Sequence, residues 1–341
     1  MREPFVNRRA RDWTSGAPKA AVRDFHRTLP GYAPTPLREV PVLAHELGVG
    51  RLLVKDESAR LGLPAFKILG ASWACHQVVQ RRPGVELVTA TDGNHGRAVA
   101  RMARRLGSTA TVFVPGVMLD RTSELIESEG AHVRRVAGDY DVAVAAAAKY
   151  ADADTGRALV QDTAWPGYEE VPQWIVDGYE TLPDEVDESL GAAPDLVVVP
   201  VGVGSLAQAV VTHYRRPGTG GCRILSVEPD TAAGILASLQ AGEPTSVPTA
   251  DTIMAGLNCG TVSAAAWPVL RRGLDAAISV HDDEARTAVT DLATEGVSAG
   301  PCGAATLAGL TAYLGRSGAR DAIDLPDDAI VVLLSTEGIL R

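Results

Sequence analysis

The stretch "DLVVVPVGVGSLAQA", residues 195–209, runs from an apolar segment through a glycine-rich turn into a helical pattern. A short run that is almost wholly apolar is typical of a strand buried on both faces, as in a parallel sheet covered by helices. In open α/β sheets, ligands bind where such a strand ends and the next helix begins. The stretch therefore predicts an α/β fold with a ligand site at this turn.

The same alternation continues along the chain in both directions. The strand candidates are short segments rich in β-branched residues, at 51–55, 85–90, 109–114, 131–136, 195–201, 222–228, 276–280 and 329–335. The helix candidates lie between them, near 67–81, 95–106, 119–129, 141–153, 168–184, 205–214, 262–272, 282–294 and 303–315. Alternating strands and helices form right-handed βαβ units, so we expect a doubly wound, mostly parallel sheet. No shift in composition divides the 341 residues, which favours an inserted second domain over an appended one.

Composition and charge narrow the classes of partner. The net charge of -10 disfavours a nucleic acid or an anionic membrane as a partner, because either would need a basic face. No segment approaches the roughly 20 apolar residues of a membrane span. The sequence has four scattered cysteines that form no C-x-x-C pair: Cys75, Cys222, Cys259 and Cys302. We therefore expect neither a disulfide framework nor a bound metal. We also expect a cytoplasmic location, because a reducing compartment keeps thiols free.

A lysine in apolar surroundings is the first candidate for chemistry. Lys67 lies in "GLPAFKILGAS", residues 62–72, between Phe66 and Ile68 and at the start of a predicted helix. Apolar surroundings lower the pKa of an amine and make it a nucleophile toward an aldehyde. The alternative is a lysine at the edge of a helix that extends its amine into solvent.

The glycine-rich turn is the second candidate. Gly202 and Gly204 leave the main chain free to point N–H groups inward, Ser205 adds a hydroxyl, and the helix N-terminus attracts an anion such as a phosphate. Alone, the turn is equally explained by packing, and it matches neither a Walker loop nor a dinucleotide fingerprint. A nucleophilic lysine together with a phosphate site predicts a cofactor that carries both an aldehyde and a phosphate. Pyridoxal phosphate is that cofactor.

Further segments carry a resemblance to a known family. They are "PGYAPTPL" (30–37), "LVKDES" (53–58), "GLPAFKILGAS" (62–72), "ATDGNHGRAVA" (90–100), "QDTAWPGYEEVPQWIVDGY" (161–179), "GVGSLAQAVV" (202–211), "SVEPD" (226–230), "TIMAGLNCG" (252–260) and "STEG" (335–338). In this order they resemble the fold type II (tryptophan-synthase-β-like) pyridoxal-phosphate enzymes. The block at 161–179 is similar to the diaminopropionate ammonia-lyases in particular.

The resemblance implies a fold and an activity. The expected fold has a large cofactor-binding domain, 1–71 with 166–341, and a smaller α/β domain inserted at 72–165; the expected assembly is a homodimer. The expected reaction is α,β-elimination of ammonia from 2,3-diaminopropionate, of one or both enantiomers, which gives pyruvate and ammonia. Two alternatives stay open: elimination or replacement on serine, threonine or another β-substituted amino acid, and a binding protein that keeps the fold without turnover.

The resemblance also assigns the cofactor site. Lys67 would bind the cofactor covalently and then act as a base at the substrate α-carbon. Asn94 would hydrogen-bond the phenolic oxygen of the cofactor, and Ser335, or else Thr336, would face the pyridine nitrogen. The remaining cofactor-binding residues implied by the resemblance are Phe66 and the turn residues Gly202, Val203, Gly204, Ser205 and Leu206.

Two aspartates receive catalytic roles by the same resemblance. Asp92 would be a second base on the face opposite Lys67, which would let both enantiomers react; the alternative is a turn aspartate that caps the next helix. Asp162 would recognise the leaving β-ammonium group, because a carboxylate complements an alkylammonium; the alternative is a turn or cap before Pro166. His95 is expected to be structural.

The chain departs from the family pattern in two places. Gly300-Pro301-Cys302-Gly303 replaces a Gly-Glu-Ser-Gly turn and lacks its carboxylate, and "STEG" is followed by Ile339-Leu340-Arg341 instead of an Asp-Thr-like tail. Both departures bear on substrate choice and leave the cofactor assignment unchanged.

Overall fold

The computed structural model describes residues 3–16, 21–219 and 221–339. The chain forms two compact units: a larger one from the described parts of 1–20, 30–66 and 179–341, and a smaller one from 21–29 and 67–178. The segment 72–165 lies inside the smaller unit, and its assignment as an inserted domain remains a prediction. Of the C-terminal departure noted above, Leu340 and Arg341 lie outside the described residues.

The strands of the described chain are mostly short. They are β1 (Phe5–Val6), β2 (Leu37–Glu39), β3 (Arg51–Asp56), β4 (Glu86–Ala90), β5 (Ala110–Pro115), β6 (His132–Val136), β7 (Arg157–Leu159), β8 (Leu196–Pro200), β9 (Arg223–Pro229), β10 (Ala276–Val280) and β11 (Ile330–Ser335).

The helices alternate with these strands. They are α1 (Ala21–Thr28), α2 (Pro41–Leu47), α3 (Ile68–Arg81), α4 (Asn94–Arg105), α5 (Asp120–Glu127), α6 (Tyr140–Asp152), α7 (Glu170–Tyr179), α8 (Thr181–Leu190), α9 (Ser205–Tyr214), α10 (Gly234–Ala241), α11 (Trp267–Gly273), α12 (Asp282–Thr294), α13 (Pro301–Leu314) and α14 (Ala319–Ala322).

The larger unit is built on a seven-stranded sheet in the order β1-β10-β9-β8-β11-β3-β2. Its five central strands are parallel, and β1 and β2 pair antiparallel at the edges. Val198 and Val227 pack in one core cluster with Ala304 of α13. Val197 and Val199 point to the opposite face and are also buried, as a central strand covered on both faces requires. The predicted α/β class with a mostly parallel sheet is confirmed.

The smaller unit has a four-stranded sheet in the order β6-β5-β4-β7, with every neighbouring pair parallel. Val88, Ala90 and Phe113 of the sheet pack against Ala143 and Ala147 of α6. Because all four strands run in the same direction, the loops after them emerge at one edge of the sheet. The segments that follow β4, β6 and β7 are therefore brought together, although they are far apart in sequence.

The structure corrects the prediction of a single helix over 168–184. Two helices, α7 and α8, occupy this region and are separated at Glu180. Pro183 has no N–H to donate to the carbonyl of Tyr179, so a new helix begins and Pro183 falls in its first turn. The strands β1, β2 and β7 are absent from the sequence-based prediction because two or three residues are too few to show an alternating pattern.

Among the described residues, no helix combines the length and the apolar character that crossing a bilayer requires.

Candidate active site

Lys67 lies at the N-terminal end of α3 in the smaller unit. Its carbonyl accepts the N–H of Ala71 at 3.1 Å, so the side chain leaves from the first turn of the helix. The side chain is 21% exposed, and its Nζ donates to Asp162 Oδ2 at 2.6 Å. The amine is thus partly shielded, still reachable, and held against a carboxylate that is 95 residues away in sequence.

The other described lysines are poor candidates for a reactive amine. Lys55 on β3 is 0% exposed, and its Nζ donates to Thr35 O at 2.8 Å and to Glu185 Oε2 at 2.6 Å. Lys149 lies exposed on α6. The remaining lysine of the sequence, Lys19, lies outside the described residues. Of the described lysines, only Lys67 is both accessible and placed at the carboxyl edge of a parallel sheet.

Asp162 follows β7 and is buried. Its Oδ2 accepts from Lys67, and its Oδ1 accepts from Gln161 Nε2 at 3.3 Å. Burial by itself would raise the pKa of Asp162, but the charge and hydrogen bond of Lys67 outweigh it and lower the pKa to about 2. Asp162 is therefore a carboxylate that stays ionised inside the protein.

Asp92 follows β4 at the same edge of the sheet and is half-buried. Burial, followed by repulsion from Asp162, raises its pKa to about 7, although Lys67 acts in the opposite direction. The turn that contains Asp92 is closed by its neighbour: Thr91 Oγ1 accepts the N–H groups of Gly93 at 2.9 Å and Gly96 at 3.0 Å. The capping role considered for Asp92 thus belongs to Thr91.

Asn94 is the first residue of α4 and is half-buried. The next residue, His95, is buried, and its Nε2–H donates to the carbonyl of Val160 at 2.8 Å, which leaves Nδ1 unprotonated. Burial lowers the pKa of His95, which keeps the ring neutral. The geometry gives His95 the function of tying α4 to the end of β7.

The larger unit presents the glycine-rich turn between β8 and α9. Gly204 has a φ of +102°, in the left-handed region, and a Cβ there would lie 3.0 Å from Leu270 Cδ1. No side chain caps the N-terminus of α9, and the N–H groups of Gly202, Val203 and Gly204 make no main-chain hydrogen bond in the described chain. The turn therefore offers unsatisfied donors at a helix N-terminus. The other two predicted residues of this turn, Ser205 and Leu206, are buried in the first turn of α9.

Ser335 ends β11, the strand next to β8 in the sheet. Its hydroxyl is buried, and within the described chain it has no hydrogen-bond partner. Thr336 is buried beside it, and its carbonyl accepts the N–H of Phe66 at 3.1 Å. The ring of Phe66 packs on Tyr179 with ring centres 4.8 Å apart. Phe66 and the segment after β11 are thus fixed to each other within the larger unit.

Comparison with known proteins identifies the family. The family described as "Pyridoxal-phosphate dependent enzyme" matches residues 28–337. The chain is 33% identical to the diaminopropionate ammonia-lyase of Escherichia coli strain K12, over 93% of this chain and 87% of that protein. It is 36% identical to the diaminopropionate ammonia-lyase of Salmonella typhimurium, over 93% of this chain and 88% of that protein.

The structural comparison agrees. The crystal structure of the E. coli enzyme in complex with an aminoacrylate-PLP azomethine reaction intermediate has a TM-score of 0.89 and 32% identity to this chain, and the match covers 99% of this chain and 94% of that one. The chain belongs to the diaminopropionate ammonia-lyase family of pyridoxal-phosphate-dependent enzymes. Pyridoxal phosphate is therefore its cofactor, and the predicted family and lyase class are confirmed.

The residues of this chain fit the cofactor of the family. A phosphate requires donors, and the uncapped N-terminus of α9 supplies them. The pyridine nitrogen requires a partner, and the unpaired hydroxyl of Ser335 is a buried group with that capacity. Both lie at the ends of neighbouring strands, β8 and β11, in the larger unit.

The Gly-Pro-Cys-Gly departure lies directly beside Ser335. Gly300 is the N-cap of α13 and Pro301 its first residue, and a Cβ on Gly303 would lie 2.7 Å from Ser335 Oγ. Pro301 stands at the position of the family's glutamate and is half-buried, and Cys302, at the position of the serine, is buried in the core cluster of the larger unit. The departure therefore keeps the approach of α13 to Ser335 and places a proline at the start of that helix, where the family has an acidic side chain.

Several residues around the aspartates have no counterpart in the sequence-based prediction. Thr91 closes the turn that holds Asp92, and Gln161 hydrogen-bonds Asp162. Tyr140 contacts Gln161 from the start of α6. The sequence signal for Gln161 is its place directly before Asp162, in the block that is similar to the ammonia-lyases.

Proposed function

We propose that this enzyme removes ammonia from 2,3-diaminopropionate by α,β-elimination. The β-amine leaves as ammonia, and with water the remaining three-carbon fragment yields pyruvate and a second ammonia. Bound pyridoxal phosphate supplies an electron-accepting ring that stabilises negative charge at the substrate α-carbon. The residues of the chain bind the substrate, move its protons and assist the leaving group.

The observation that carries this proposal is the pairing of Lys67 Nζ with Asp162 at 2.6 Å. It means that this site already holds an alkylammonium group against a buried carboxylate. A substrate with a β-ammonium group can make the same charge-assisted hydrogen bond once Lys67 is engaged with the cofactor. Serine and threonine carry a hydroxyl at that position and gain much less from an ionised Asp162.

Two bases, Lys67 and Asp92, explain proton removal from the two enantiomers. Lys67 takes the α-proton from one enantiomer, and we assign the other enantiomer to Asp92. A carboxyl whose pKa lies at about 7 accepts a proton readily near neutral pH, whereas an ammonium group beside Asp162, that of Lys67 or that of the substrate, keeps Asp162 ionised. The activity that depends on Asp92 is expected to rise with pH through about 7, as that carboxyl ionises.

We further assign the cofactor contacts by family resemblance, with support from the fit described above. Gly202, Val203, Gly204, Ser205 and Leu206 would bind the phosphate. Asn94 would hydrogen-bond the phenolic oxygen and Ser335 the pyridine nitrogen, with Thr336 and Phe66 forming the wall beside it. A hydroxyl at the ring nitrogen suits elimination, because the negative charge is relieved as soon as the leaving group departs.

The test is a substrate panel on the cofactor-loaded protein. Pyruvate or 2-oxobutyrate release is measured with both enantiomers of 2,3-diaminopropionate, serine and threonine. Both enantiomers of diaminopropionate are expected to exceed serine and threonine in kcat/KM. Asp162→Asn should lower kcat/KM for diaminopropionate about tenfold or more, the value of a hydrogen bond to a charged group, and change serine turnover less.

Asp177→Asn is the matched control. Asp177 is another buried carboxylate of the smaller unit, and it accepts from Gln173 Nε2 at 2.8 Å on α7. Its replacement is expected to leave the order of substrates unchanged. Higher turnover of serine or threonine than of diaminopropionate, with equal losses for both in Asp162→Asn, would point to the alternative reaction.

We also propose that the enzyme works in the cytoplasm as a homodimer. The family resemblance supports the dimer. The cytoplasmic location is supported by four cysteines that form no disulfide in the described chain, since a reducing compartment keeps thiols free. Mass photometry of the loaded protein, with twice the chain mass of 35.7 kDa as the expected result, tests the assembly.

A further inference from the structure

Gln161 is a fully enclosed amide whose hydrogen-bonding groups are all used. Its side chain is 0% exposed. The carbonyl Oε1 accepts from the main-chain N of Ala90 at 2.9 Å and from Thr89 Oγ1 at 3.1 Å. The amide Nε2 donates to Tyr140 Oη at 2.8 Å and to Asp162 Oδ1 at 3.3 Å. Two donated and two accepted bonds exhaust the capacity of this side chain, which fixes its orientation.

These four contacts reach three separate segments at the carboxyl edge of the small sheet. Ala90 ends β4, two residues before Asp92. Tyr140 begins α6 after β6, next to Asp141, whose negative charge contributes to the raised pKa of Asp92. Asp162 follows Gln161 directly. One side chain therefore connects the three segments that carry the carboxylates of the site.

The main chain at Gln161 is fixed as well. The N–H of Gln161 donates to Tyr168 Oη at 2.8 Å, and this hydroxyl donates to the carbonyl of Leu159 at 3.0 Å. Gln161 is thus held from both sides and cannot turn without breaking several buried hydrogen bonds. A rigid support of this kind is what precise placement of a neighbouring group requires.

We propose that Gln161 is the positioning residue of the reaction: it holds Asp162 with one oxygen toward Lys67 and fixes the spacing between Asp162 and the Asp92 loop. This inference rests on the proposed function. The bond from Nε2 to Oδ1 leaves Oδ2 for an ammonium group, first that of Lys67 and then that of the substrate. The bonds to Ala90 and Thr89 set where the chain leaves β4 toward Asp92.

The chemical consequence is that the two aspartates keep different protonation states. Asp162 stays ionised because Lys67 lies against it, and its charge helps to keep a proton on Asp92. If Asp162 turned away from the ammonium position, both the ammonium binding and the separation between the two carboxyls would be lost. Gln161 is the side chain that prevents this rotation.

The sharpest test is Gln161→Glu, which keeps the shape and both accepted bonds but turns the donor facing Asp162 into a carboxylate. The pKa of a buried glutamate beside Asp162 should lie well above its usual value, because burial and the negative charge of Asp162 both favour the protonated form. At high pH the two carboxylates repel and Asp162 leaves its position. At low pH the protonated glutamate donates to Asp162 as the amide does, so acid should restore function.

The loaded wild-type and variant proteins are compared between about pH 6 and pH 9 with 2,3-diaminopropionate as the probe. The loss in kcat/KM relative to wild type is expected to be about tenfold or more at the upper limit and to shrink to about threefold at the lower one. Without substrate, the pH titration of the visible band of the lysine-bound cofactor should shift its midpoint by about one unit. A constant loss with no spectral shift would overturn the proposal.

Gln173→Glu is the matched control. Gln173 donates to the Asp177 carboxylate at 2.8 Å, so the substitution creates the same pair of carboxylates in the same unit, away from the site. Its thermal stability should depend on pH as that of Gln161→Glu does, but the cofactor titration and kcat/KM should follow wild type. Equal effects of both substitutions on the cofactor titration would mean that charge alone is responsible, which contradicts a positioning role.

Tyr140→Phe provides a second route if Gln161→Glu does not fold. It removes the hydroxyl that accepts from Gln161 Nε2 and leaves the donor to Asp162 in place. The expected result is a loss in the same direction and smaller, with KM for diaminopropionate raised more than kcat is lowered. A Tyr140→Phe enzyme with wild-type KM and cofactor titration would overturn the proposal.

Failure of the proposed function can be distinguished from failure of the positioning role of Gln161. If wild-type protein releases no pyruvate from either enantiomer of diaminopropionate, the proposed function fails. If wild type is active and Gln161→Glu follows it at every pH, the proposed function stands and the positioning role fails.

Discussion

Each of the two units contains a cluster of charged side chains, and the two clusters differ in the balance of positive and negative charges. In the larger unit, Lys55 and Arg60 meet Glu57 and Glu185, with no side-chain exposure for any of the four. Arg60 donates to Glu57 and Glu185 at 2.7 Å, and Lys55 donates to Glu185 at 2.6 Å. Two positive charges thus face two negative ones.

In the smaller unit the charges do not balance. Lys67 is the cation, and the carboxyls that act on one another around it are Asp92, Asp141 and Asp162. Burial, together with repulsion from the other two carboxyls, raises the pKa of Asp92 to about 7. In the balanced cluster, Arg60 and Lys55 lower the pKa of Glu185 to about 2, against the effect of burial. Glu185, which is matched by two cations, therefore stays ionised, whereas the surplus carboxyl Asp92 can exchange its proton near neutral pH.

The largest expected effect comes from exchanging the lysine of the unbalanced cluster. Lys67→Arg keeps a cation beside Asp162 but removes the nucleophilic amine, because a guanidinium stays protonated. Pyruvate release should fall by about three orders of magnitude or more, with the fold retained by circular dichroism. Borohydride reduction should no longer attach the cofactor covalently to the Lys67→Arg protein. The control variant Lys149→Arg should be labelled with the cofactor to the same extent as wild type. Labelling of the Lys67→Arg protein at Lys55 would contradict this distinction.

The second effect is on stability and belongs to the balanced cluster. Glu185→Gln leaves Lys55 and Arg60 with one carboxylate fewer in a site closed to water, and should lower the free energy of unfolding by about 3–5 kcal/mol. Urea denaturation of the cofactor-free protein measures it. Asp120→Asn is the control, since the exposed pair of Asp120 with Arg135 is worth less than about 1 kcal/mol. Similar losses for the two variants would contradict the assigned burial.

The smallest expected effect is a gain in the free energy of unfolding, and it concerns Asp92. A carboxyl whose folded pKa is raised stays protonated when the unfolded chain has ionised, so wild type loses stability as pH rises from about 4 to about 7. Asp92→Asn removes this loss. A pKa change from about 4 to about 7 corresponds to about 4 kcal/mol for a fully shielded carboxyl, and the partial exposure of Asp92 reduces it. The cofactor-free variant should unfold with a free energy about 1–2 kcal/mol above wild type at pH 8 and equal to it near pH 3.5. A variant less stable than wild type at pH 8 would show that the raised pKa of Asp92 does not lower the free energy of unfolding of the wild type.

The sequence predicts the parts of this arrangement that depend on local pattern. Apolar runs predict β8 and β11, the turn at Gly202–Ser205 predicts an anion site, and the flanks of Lys67 predict a shielded amine. These signals are local because burial on both faces and helix termini leave marks within a few residues. The family and the cofactor follow from motifs of the same short length.

The contacts that distinguish the two clusters have no such local mark. Lys67 and Asp162 are 95 residues apart, and Lys55 and Glu185 are 130 apart. Strand β7, which places Gln161 and Asp162, has three residues and therefore no readable period. A raised or lowered pKa depends on every charge nearby and on the depth of burial, so it follows only from the assembled chain.

The close approach of Gly303 to Ser335 constrains how this enzyme can evolve. A larger side chain at either position would collide with the other, since even a Cβ on Gly303 would lie 2.7 Å from the hydroxyl. A lineage that exchanged Ser335 for a bulkier partner would have to move α13, and thereby the core packed around Ala304, in the same step. Single substitutions at Gly303 or Ser335 are expected to destabilise the enzyme. The polar group at position 335 should therefore change more slowly in evolution than the residues that select the substrate.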